Sequence, residues 1–126
     1  MKGSYHCDGS LDVLCKHIAE WRENKGFETS WHNVPEKLML VVTELSEAME
    51  AYRHLPPKTL VDLSGGVALT PADTPILVVI NFEEELADAA IRLFDLAGSL
   101  GIDLETAIAH KMDKNEERPT RHGKER

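Results

Sequence analysis

The sequence predicts an all-α fold of the four-helix-bundle type, and three observations lead to that prediction. Apolar residues recur at spacings of three and four in four separate segments, which is the period of an amphipathic helix. Glycines and prolines, which end helices, fall between those segments. The 126 residues suit a single domain, 1–126, and paired helices in a chain of this size often need a partner to cover their second apolar face.

Residue types at the ends of the periodic segments set the expected helix limits. The predicted helices cover residues 10–24, 35–53, 82–100 and 104–118. Ser10 or Asp8 could cap the first helix, because a side-chain oxygen there accepts an otherwise unpaired backbone N–H. Asn33 and Asp103 could cap the second and fourth helices in the same way. The second helix is expected to carry an apolar stripe, formed by Leu38, Val41, Val42, Leu45, Met49 and Tyr52.

A long, irregular insertion at residues 55–81 separates the second helix from the third. It holds four of the six prolines, and connections of this length are uncommon in compact domains. Residues 67–69 and 76–80 could form the two strands of a short hairpin. An isolated hairpin is only marginally stable, so this one would have to pack on another part of the protein.

Two of the predicted helices each carry a pair of acidic residues three positions apart. Glu44 and Glu47 form the first pair, and Glu85 and Asp88 form the second. Residues at this spacing share a helix face, where like charges repel each other unless a cation lies between them. Four carboxylates with no Lys or Arg inside either motif predict a divalent metal, Mg²⁺ first and Mn²⁺ second, because the ligands are all oxygen. A solvated acidic helix face is the alternative reading.

Composition narrows the classes of function. The formal net charge of −8 argues against a nucleic-acid-binding protein, which would need a basic face. The longest apolar run, residues 76–80, is too short to cross a membrane, and Met1 is not followed by the apolar stretch of a signal peptide. Cys7 and Cys15 are too few for a disulfide framework, so a cytoplasmic location is expected.

The end of the chain carries its only basic block, and an aromatic connection precedes the second helix. Lys111, Asn115 and Arg118 share a helix face, where polyphosphate oxygens could dock on an otherwise acidic domain. Arg121 follows in the irregular tail. Trp31, in the connection before the second helix, could stack on a nucleobase or cover the bundle.

Taken together, these motifs resemble those of the MazG-like nucleotide pyrophosphohydrolases. That family belongs to the all-α NTP pyrophosphohydrolase superfamily, with the dimeric dUTPases and the phosphoribosyl-ATP pyrophosphohydrolases. The resemblance covers residues 21–124 and rests on Glu44-x-x-Glu47, Glu85-x-x-Asp88, Lys111, Asn115, Arg118-Pro119 and Arg121-His122-Gly123-Lys124. The sequence departs from the family pattern in the longer insertion at residues 55–81 and in the acidic pair Glu116-Glu117.

The resemblance implies a helical bundle completed by dimerisation, as a homodimer or a dimer of dimers. It implies Mg²⁺-dependent hydrolysis of nucleoside or deoxynucleoside triphosphates to the monophosphate and pyrophosphate, with a house-cleaning role against non-canonical or excess nucleotides. By position, the residues that match the family's metal ligands are Glu44, Glu47, Glu85 and Asp88. Those that match its phosphate-binding residues are Lys111, Asn115, Arg118 and Arg121.

The chemistry of this reaction suggests further roles. A metal-bound water would attack the α-phosphorus, and a nearby carboxylate would accept its proton. Glu47 is the expected acceptor, with Glu50, one turn further along, as the second candidate. The base would lie against Trp31 or against His17 or Trp21 of the first helix.

Three other functions fit parts of the pattern. A carboxylate-bridged di-iron bundle would need Glu-x-x-His pairs, which neither acidic helix contains. A phosphoribosyl-ATP pyrophosphohydrolase would share the chemistry, although the segment RPTRHGK resembles the MazG-like tail more closely. A non-catalytic helical interaction module would keep the fold and bind a protein partner instead of a nucleotide.

Overall fold

The computed structural model describes residues 7–54 and 76–119. Within these ranges the secondary structure is helical and includes no β-strand, so the predicted all-α class is confirmed. The first arm of the proposed hairpin, residues 67–69, lies outside the described residues, as does Arg121.

Four α-helices make up most of the described chain. They are α1 (Ser10–Asn24), α2 (Val34–Arg53), α3 (Ile76–Leu100) and α4 (Leu104–Glu116), and a 3₁₀ turn (Trp31–Asn33) precedes α2. Among the residues described, no helix is both long enough and apolar enough to span a membrane.

The third helix begins earlier than the sequence analysis predicts. Residues 76–80, expected as a possible strand, form the first turns of α3, so that interpretation is wrong. A short apolar run does not by its period distinguish a strand from a buried helix. Here no Gly or Pro separates the run from the periodic segment after it, and extending an existing helix is easier than forming a lone hairpin.

The predicted caps are partly confirmed. Asp103 is the N-cap of α4, and its side chain accepts the backbone N–H of Thr106 at 3.1 Å. Asn33 occupies the N-cap position of α2, but its side chain does not accept a capping hydrogen bond there. The N-cap of α1 is neither Ser10 nor Asp8 but Gly9, whose φ of 85° suits a residue without a Cβ.

A carboxylate from a distant part of the sequence adds to a local acceptor at the start of α1. The local acceptor is Asp8, whose Oδ1 accepts the backbone N–H of Ser10 at 2.9 Å. Glu105, in the first turn of α4, accepts the backbone N–H of Gly9 at 2.8 Å and that of Leu11 at 2.7 Å. The residue is only 1% exposed. Its negative charge therefore lies at the positive end of the α1 dipole and satisfies N–H groups that the helix itself leaves unpaired.

The chain divides into two compact units. The terminal unit contains residues 7–32 and 94–119 of the described chain, and the central unit contains residues 33–54 and 76–93.

In the terminal unit, α1 packs closely on the end of α3. A Cβ at Gly98 would collide with the backbone carbonyl of Cys15 and touch the side chain of Ala19, so the absence of a side chain at position 98 permits this approach. A buried ion pair crosses the same two helices: Arg22 Nε donates to Asp95 Oδ2 at 3.0 Å, and Asp95 is 2% exposed.

Further donors complete the hydrogen bonding of Asp95. The Thr29 hydroxyl donates to Oδ2 at 2.7 Å, and the Ser99 hydroxyl donates to Oδ1 at 2.8 Å. The Arg22 guanidinium also lies over the Phe27 ring, with its Cζ 4.5 Å from the ring centroid. Because Asp95 and Arg22 each have several partners, we infer that this network stabilises the packing of the terminal unit.

In the central unit, α2 and residues 76–93 of α3 run antiparallel. The Tyr52 and Phe82 rings meet near one end, with centroids 6.4 Å apart, and Glu44 contacts Arg92 further along. The residues of α2 that this arrangement buries are Glu44 and Ala48.

The predicted apolar stripe of α2 is about half exposed to solvent. Five of its six residues are between 44% and 52% exposed, namely Leu38, Val42, Leu45, Met49 and Tyr52. The helical period was therefore predicted correctly, but within one chain the buried face of α2 is centred on a carboxylate rather than on this stripe.

We expect Glu105→Ala to lower the free energy of unfolding by about 2 kcal/mol, because it leaves buried backbone N–H groups at the start of α1 without an acceptor. Urea denaturation followed by circular dichroism measures the change. Glu116→Ala, at the exposed end of the same helix, is the matched control and should change stability by less than about 0.5 kcal/mol. Equal effects of the two substitutions would contradict the capping role.

Candidate metal centre

The antiparallel pair in the central unit brings three of the predicted ligands together. One carboxylate oxygen from each of Glu44, Glu85 and Asp88 lies within 4.8 Å of the other two. The spacing of three residues in α3 places Glu85 and Asp88 on one helix face, and α2 contributes Glu44 from the opposite side. Glu44 is buried, Glu85 half-buried and Asp88 exposed, so the cluster extends from the helix contact to solvent.

Arg92 supplies positive charge to the buried end of this cluster. Its Nε donates to Glu44 Oε1 at 2.8 Å. This hydrogen bond is the main reason that the pKa of Glu44 is held below its ordinary value, and it outweighs the opposing effect of burial. Glu44 is therefore ionised at neutral pH.

Glu85 lies in the opposite situation, because its neighbours are carboxylates. Its Oε2 is buried and has no hydrogen-bond partner among the residues described. A hydrogen bond with Glu47, then burial, then the charges of Glu47 and Glu44 raise the pKa of Glu85 from 4.5 to about 7. Glu47 is thus within hydrogen-bonding distance of Glu85, although it is not one of the three mutually close ligands.

These features fit a divalent cation. A buried carboxylate oxygen without a donor is an unsatisfied acceptor, and a bound cation would satisfy it as well as a proton does. The donors are all carboxylate oxygens, which suit Mg²⁺ or Mn²⁺ better than metals that favour nitrogen or sulfur ligands. The residues that could hold such an ion are Glu44, Glu85 and Asp88, with Glu47 beside them.

Glu50, the second candidate for accepting the proton, contacts residues other than the clustered carboxylates. Glu50 is 61% exposed in its side chain and pairs with Arg53 and His54 near the end of α2, in both cases at 3.3 Å. Its hydrogen-bonding partners are thus basic residues of its own helix end, whereas those of Glu47 are the clustered carboxylates.

The other predicted site residues belong to the terminal unit. Trp31 lies in the 3₁₀ turn, and His17 and Trp21 lie one turn apart on α1; all three are exposed. The described residues of the predicted phosphate-binding set are Lys111 and Asn115 on α4 and Arg118 just after it. The backbone N–H of Arg118 donates to the Asn115 carbonyl at 3.1 Å.

The terminal unit also contains a cavity of about 590 Å³. Its charged lining residues are Lys16, Glu20, Glu23 and Glu28, and Phe27 forms part of its apolar wall. None of the predicted catalytic, metal, phosphate or base residues lines it. An acidic lining opposes binding of a triphosphate, so this cavity is a weaker candidate for the nucleotide site.

Sequence analysis missed Arg92 because it considered only cations inside the acidic motifs. Arg92 follows Asp88 by four residues and Glu85 by seven, both of which are spacings that share a helix face. Extending the same rule by one turn beyond the motif would have placed a guanidinium next to the carboxylates.

We expect Glu85→Gln to remove a pH dependence from the stability of the metal-free protein. Because the folded-state pKa of Glu85 is raised, its stabilising contribution is complete below about pH 4.5 and is lost as the pH rises through about 7. In EDTA, the Tm of the wild type should therefore fall relative to that of the variant between about pH 4.5 and pH 7. Glu84→Gln, at the exposed neighbouring position, should keep the wild-type profile, and parallel curves for wild type and Glu85→Gln would contradict the shift.

Comparisons of the chain with protein-family models, with curated proteins and with solved structures find no match. The resemblance to MazG-like pyrophosphohydrolases therefore rests on the motif residues themselves, and the activity that it implies is a proposal.

Proposed function

We propose that this protein is a Mg²⁺-dependent nucleoside triphosphate pyrophosphohydrolase that converts (d)NTPs to the (d)NMP and pyrophosphate. Its cellular role would be the removal of non-canonical or excess nucleotides from the cytoplasm.

The observation that carries this proposal is the carboxylate cluster between α2 and α3. Three carboxylate oxygens, one from α2 and two from α3, converge within 4.8 Å, and the buried Oε2 of Glu85 has no donor in the described chain. Repulsion between such groups destabilises the fold unless a proton or a cation offsets it, so the arrangement favours a bound ligand of positive charge. Together with the motif spacings, this supports metal-assisted phosphoanhydride hydrolysis over a solvated acidic face.

Each residue of the cluster has a distinct part in the reaction. Glu44, Glu85 and Asp88 would hold Mg²⁺, which when bound neutralises phosphate charge and lowers the pKa of water. Glu47 accepts the proton of the attacking water, since its side-chain contact with Glu85 places it within reach of the cluster. Water adds to the α-phosphorus, the bond from that phosphorus to the bridging oxygen breaks, and pyrophosphate leaves.

The residues that the sequence predicts for phosphate and base binding have proposed roles of their own. Lys111 and Arg118 offset negative charge on the departing pyrophosphate, and Asn115 donates a hydrogen bond to a phosphate oxygen. Arg121 would add a further charge. An exposed ring offers a stacking surface for the nucleobase, and the candidates are Trp31, Trp21 and His17.

The assembly that we propose is a homodimer, alone or paired into a dimer of dimers. The half-exposed stripe of α2 supports it, because five large apolar side chains on one helix face are each close to half exposed. A contiguous apolar face of this kind is typical of a surface that another protein covers. A second copy of the chain offers the same face and can satisfy it symmetrically.

With Mg²⁺, purified protein should release pyrophosphate and the matching monophosphate from members of a panel of canonical and modified NTPs and dNTPs. Glu47→Gln and Asp88→Asn should each reduce turnover at least about a hundredfold, because they remove the proton acceptor and a metal ligand. The matched control is Glu83→Gln, an exposed residue in the same helix, which should retain full turnover. Full activity in both site variants would defeat the assignment. Absence of release from every substrate, with Mg²⁺ or Mn²⁺ present, would favour the helical interaction module.

Leu45→Glu should dissociate the proposed dimer, because it places a charge in the middle of the α2 stripe. Light scattering after size-exclusion chromatography should show a mass near 14.1 kDa for the variant and at least twice that for the wild type. Thr43→Glu introduces the same charge on α2 outside the stripe and should leave the mass unchanged. A monomeric wild type would show that the stripe is not a homodimer contact.

A further inference from the structure

We propose that Arg92 is an internal counterion that holds Glu44 while the site lacks metal and exchanges that carboxylate for phosphate oxygens when metal and nucleotide bind. The inference deepens the proposed function and rests on it, since it assigns a positioning role to a residue outside the acidic motifs.

Position makes Arg92 a member of the same surface as the metal ligands. On α3 it follows Glu85 by seven residues and Asp88 by four, so the three side chains project from one helix face. From there the guanidinium reaches across to α2, where its Nε donates to Glu44 Oε1 at 2.8 Å. One end of the carboxylate cluster is thus already occupied by a cation that belongs to the protein.

Burial explains why the metal-free cluster needs this cation. The side chain of Glu44 is only 11% exposed, and an ionised carboxylate at that depth is strongly destabilising without a positive partner. Glu85 and Asp88 each place a further carboxyl oxygen within 4.8 Å of one from Glu44. Arg92 offsets part of this charge and so allows α2 and α3 to pack before any ion is present.

The same contact competes with a metal. A bound cation and the Arg92 guanidinium would both be held by the one Glu44 carboxylate, and two positive charges at one carboxylate repel each other. A bound cation therefore weakens the hold of Arg92 on Glu44. The Arg92 side chain is 27% exposed, more than twice the fraction of its partner, so the guanidinium is the member of the pair that can turn outward.

A released guanidinium has a natural acceptor in the substrate. Arginine presents several N–H donors in a planar fork that matches the oxygens of a phosphate group and stays charged at any pH of interest. The polyphosphate oxygens are negatively charged hydrogen-bond acceptors, as is the Glu44 carboxylate that Arg92 would release. Metal and nucleotide would then bind cooperatively, because each favours the arrangement in which Arg92 has left Glu44.

A simple structural ion pair predicts a different result from this exchange. Removing Arg92 from a structural pair would weaken the helix contact and with it both metal and phosphate binding. Removing a competing counterion should instead strengthen binding of metal alone and weaken binding of polyphosphate. These opposite signs make the proposal testable with one substitution.

The first measurement is a Mn²⁺ titration without nucleotide. Electron paramagnetic resonance reports the concentration of free Mn²⁺ and hence the affinity of the protein for Mn²⁺. Arg92→Gln should bind Mn²⁺ roughly tenfold more tightly than the wild type, because it removes a charge-assisted bond that competes for Glu44. Arg53→Gln is the matched control: it deletes the same charge from an exposed residue of the central unit and should alter the affinity by less than about twofold.

The second measurement is binding of inorganic tripolyphosphate in the presence of saturating Mn²⁺, by calorimetry. Arg92→Gln should bind it roughly tenfold more weakly than the wild type, and Arg53→Gln should bind it equally well. Circular dichroism must first show equal helix content in the three proteins.

If Arg92→Gln does not fold, the wild type alone decides the question by nitrogen–proton NMR. The Arg92 Nε–Hε signal, identified by its absence in Arg92→Lys, should shift during a Mg²⁺ titration. An unchanged signal in a protein that binds Mg²⁺ would overturn the exchange.

The outcomes separate this inference from the proposed function. Tighter Mn²⁺ binding by Arg92→Gln supports it, including the case in which the wild type binds too weakly to measure. Equal or weaker binding by Arg92→Gln, beside a wild type that binds Mn²⁺ and hydrolyses nucleotides, overturns the counterion role and leaves the proposed function in place. Absence of Mn²⁺ binding in both proteins overturns both.

Discussion

The contact between α2 and α3 in the central unit depends on a positive partner for the buried carboxylate of Glu44. Glu44 occupies the side of α2 that faces α3, a position where a helix pair ordinarily places a large apolar side chain. Arg92 makes that position tolerable by donating a hydrogen bond at 2.8 Å from the opposite helix. The two helices are therefore joined partly by charge, while the largest apolar residues of α2 remain about half exposed on a neighbouring face. This arrangement buries less apolar surface between α2 and α3 within one chain, but it holds three carboxylate oxygens within 4.8 Å of one another.

The terminal unit shows what buried carboxylates look like when they serve structure alone. Asp95 receives hydrogen bonds from Arg22, Thr29 and Ser99, and Glu105 receives backbone N–H groups at the start of α1. Both are almost completely buried, and both have donors for each of their oxygens. Glu85 differs, since one of its oxygens is buried without a donor and its nearest polar neighbours are acidic. Incomplete hydrogen bonding, rather than negative charge itself, distinguishes the candidate site from the supporting network.

Local patterns in the sequence were sufficient to predict the helices, and long-range contacts were not. The period of three and four identified all four segments, and the Asp103 cap is where a short-range rule places it. The run at residues 76–80 was ambiguous, because its length fits a strand as well as a helix end. The α2 stripe was recognised, yet periodicity marks an apolar face without saying what covers it. Glu105 escaped prediction because its partner Leu11 lies 94 residues away. Local spacing places Arg92 on the face of Glu85 and Asp88, but its hydrogen bond with Glu44, 48 residues away, could not be predicted.

The cap that Glu105 provides to α1 has a consequence for how the chain is made. Ribosomal synthesis delivers Gly9 and Leu11 long before residue 105, so the first helix leaves the ribosome with its initial N–H groups facing water. An isolated helix of fifteen residues is marginal, and this one gains its final acceptor only when the fourth helix has been synthesised. The terminal unit is therefore expected to complete its folding only after residue 105 has been translated, with the start of α1 among the last of its parts to become fixed.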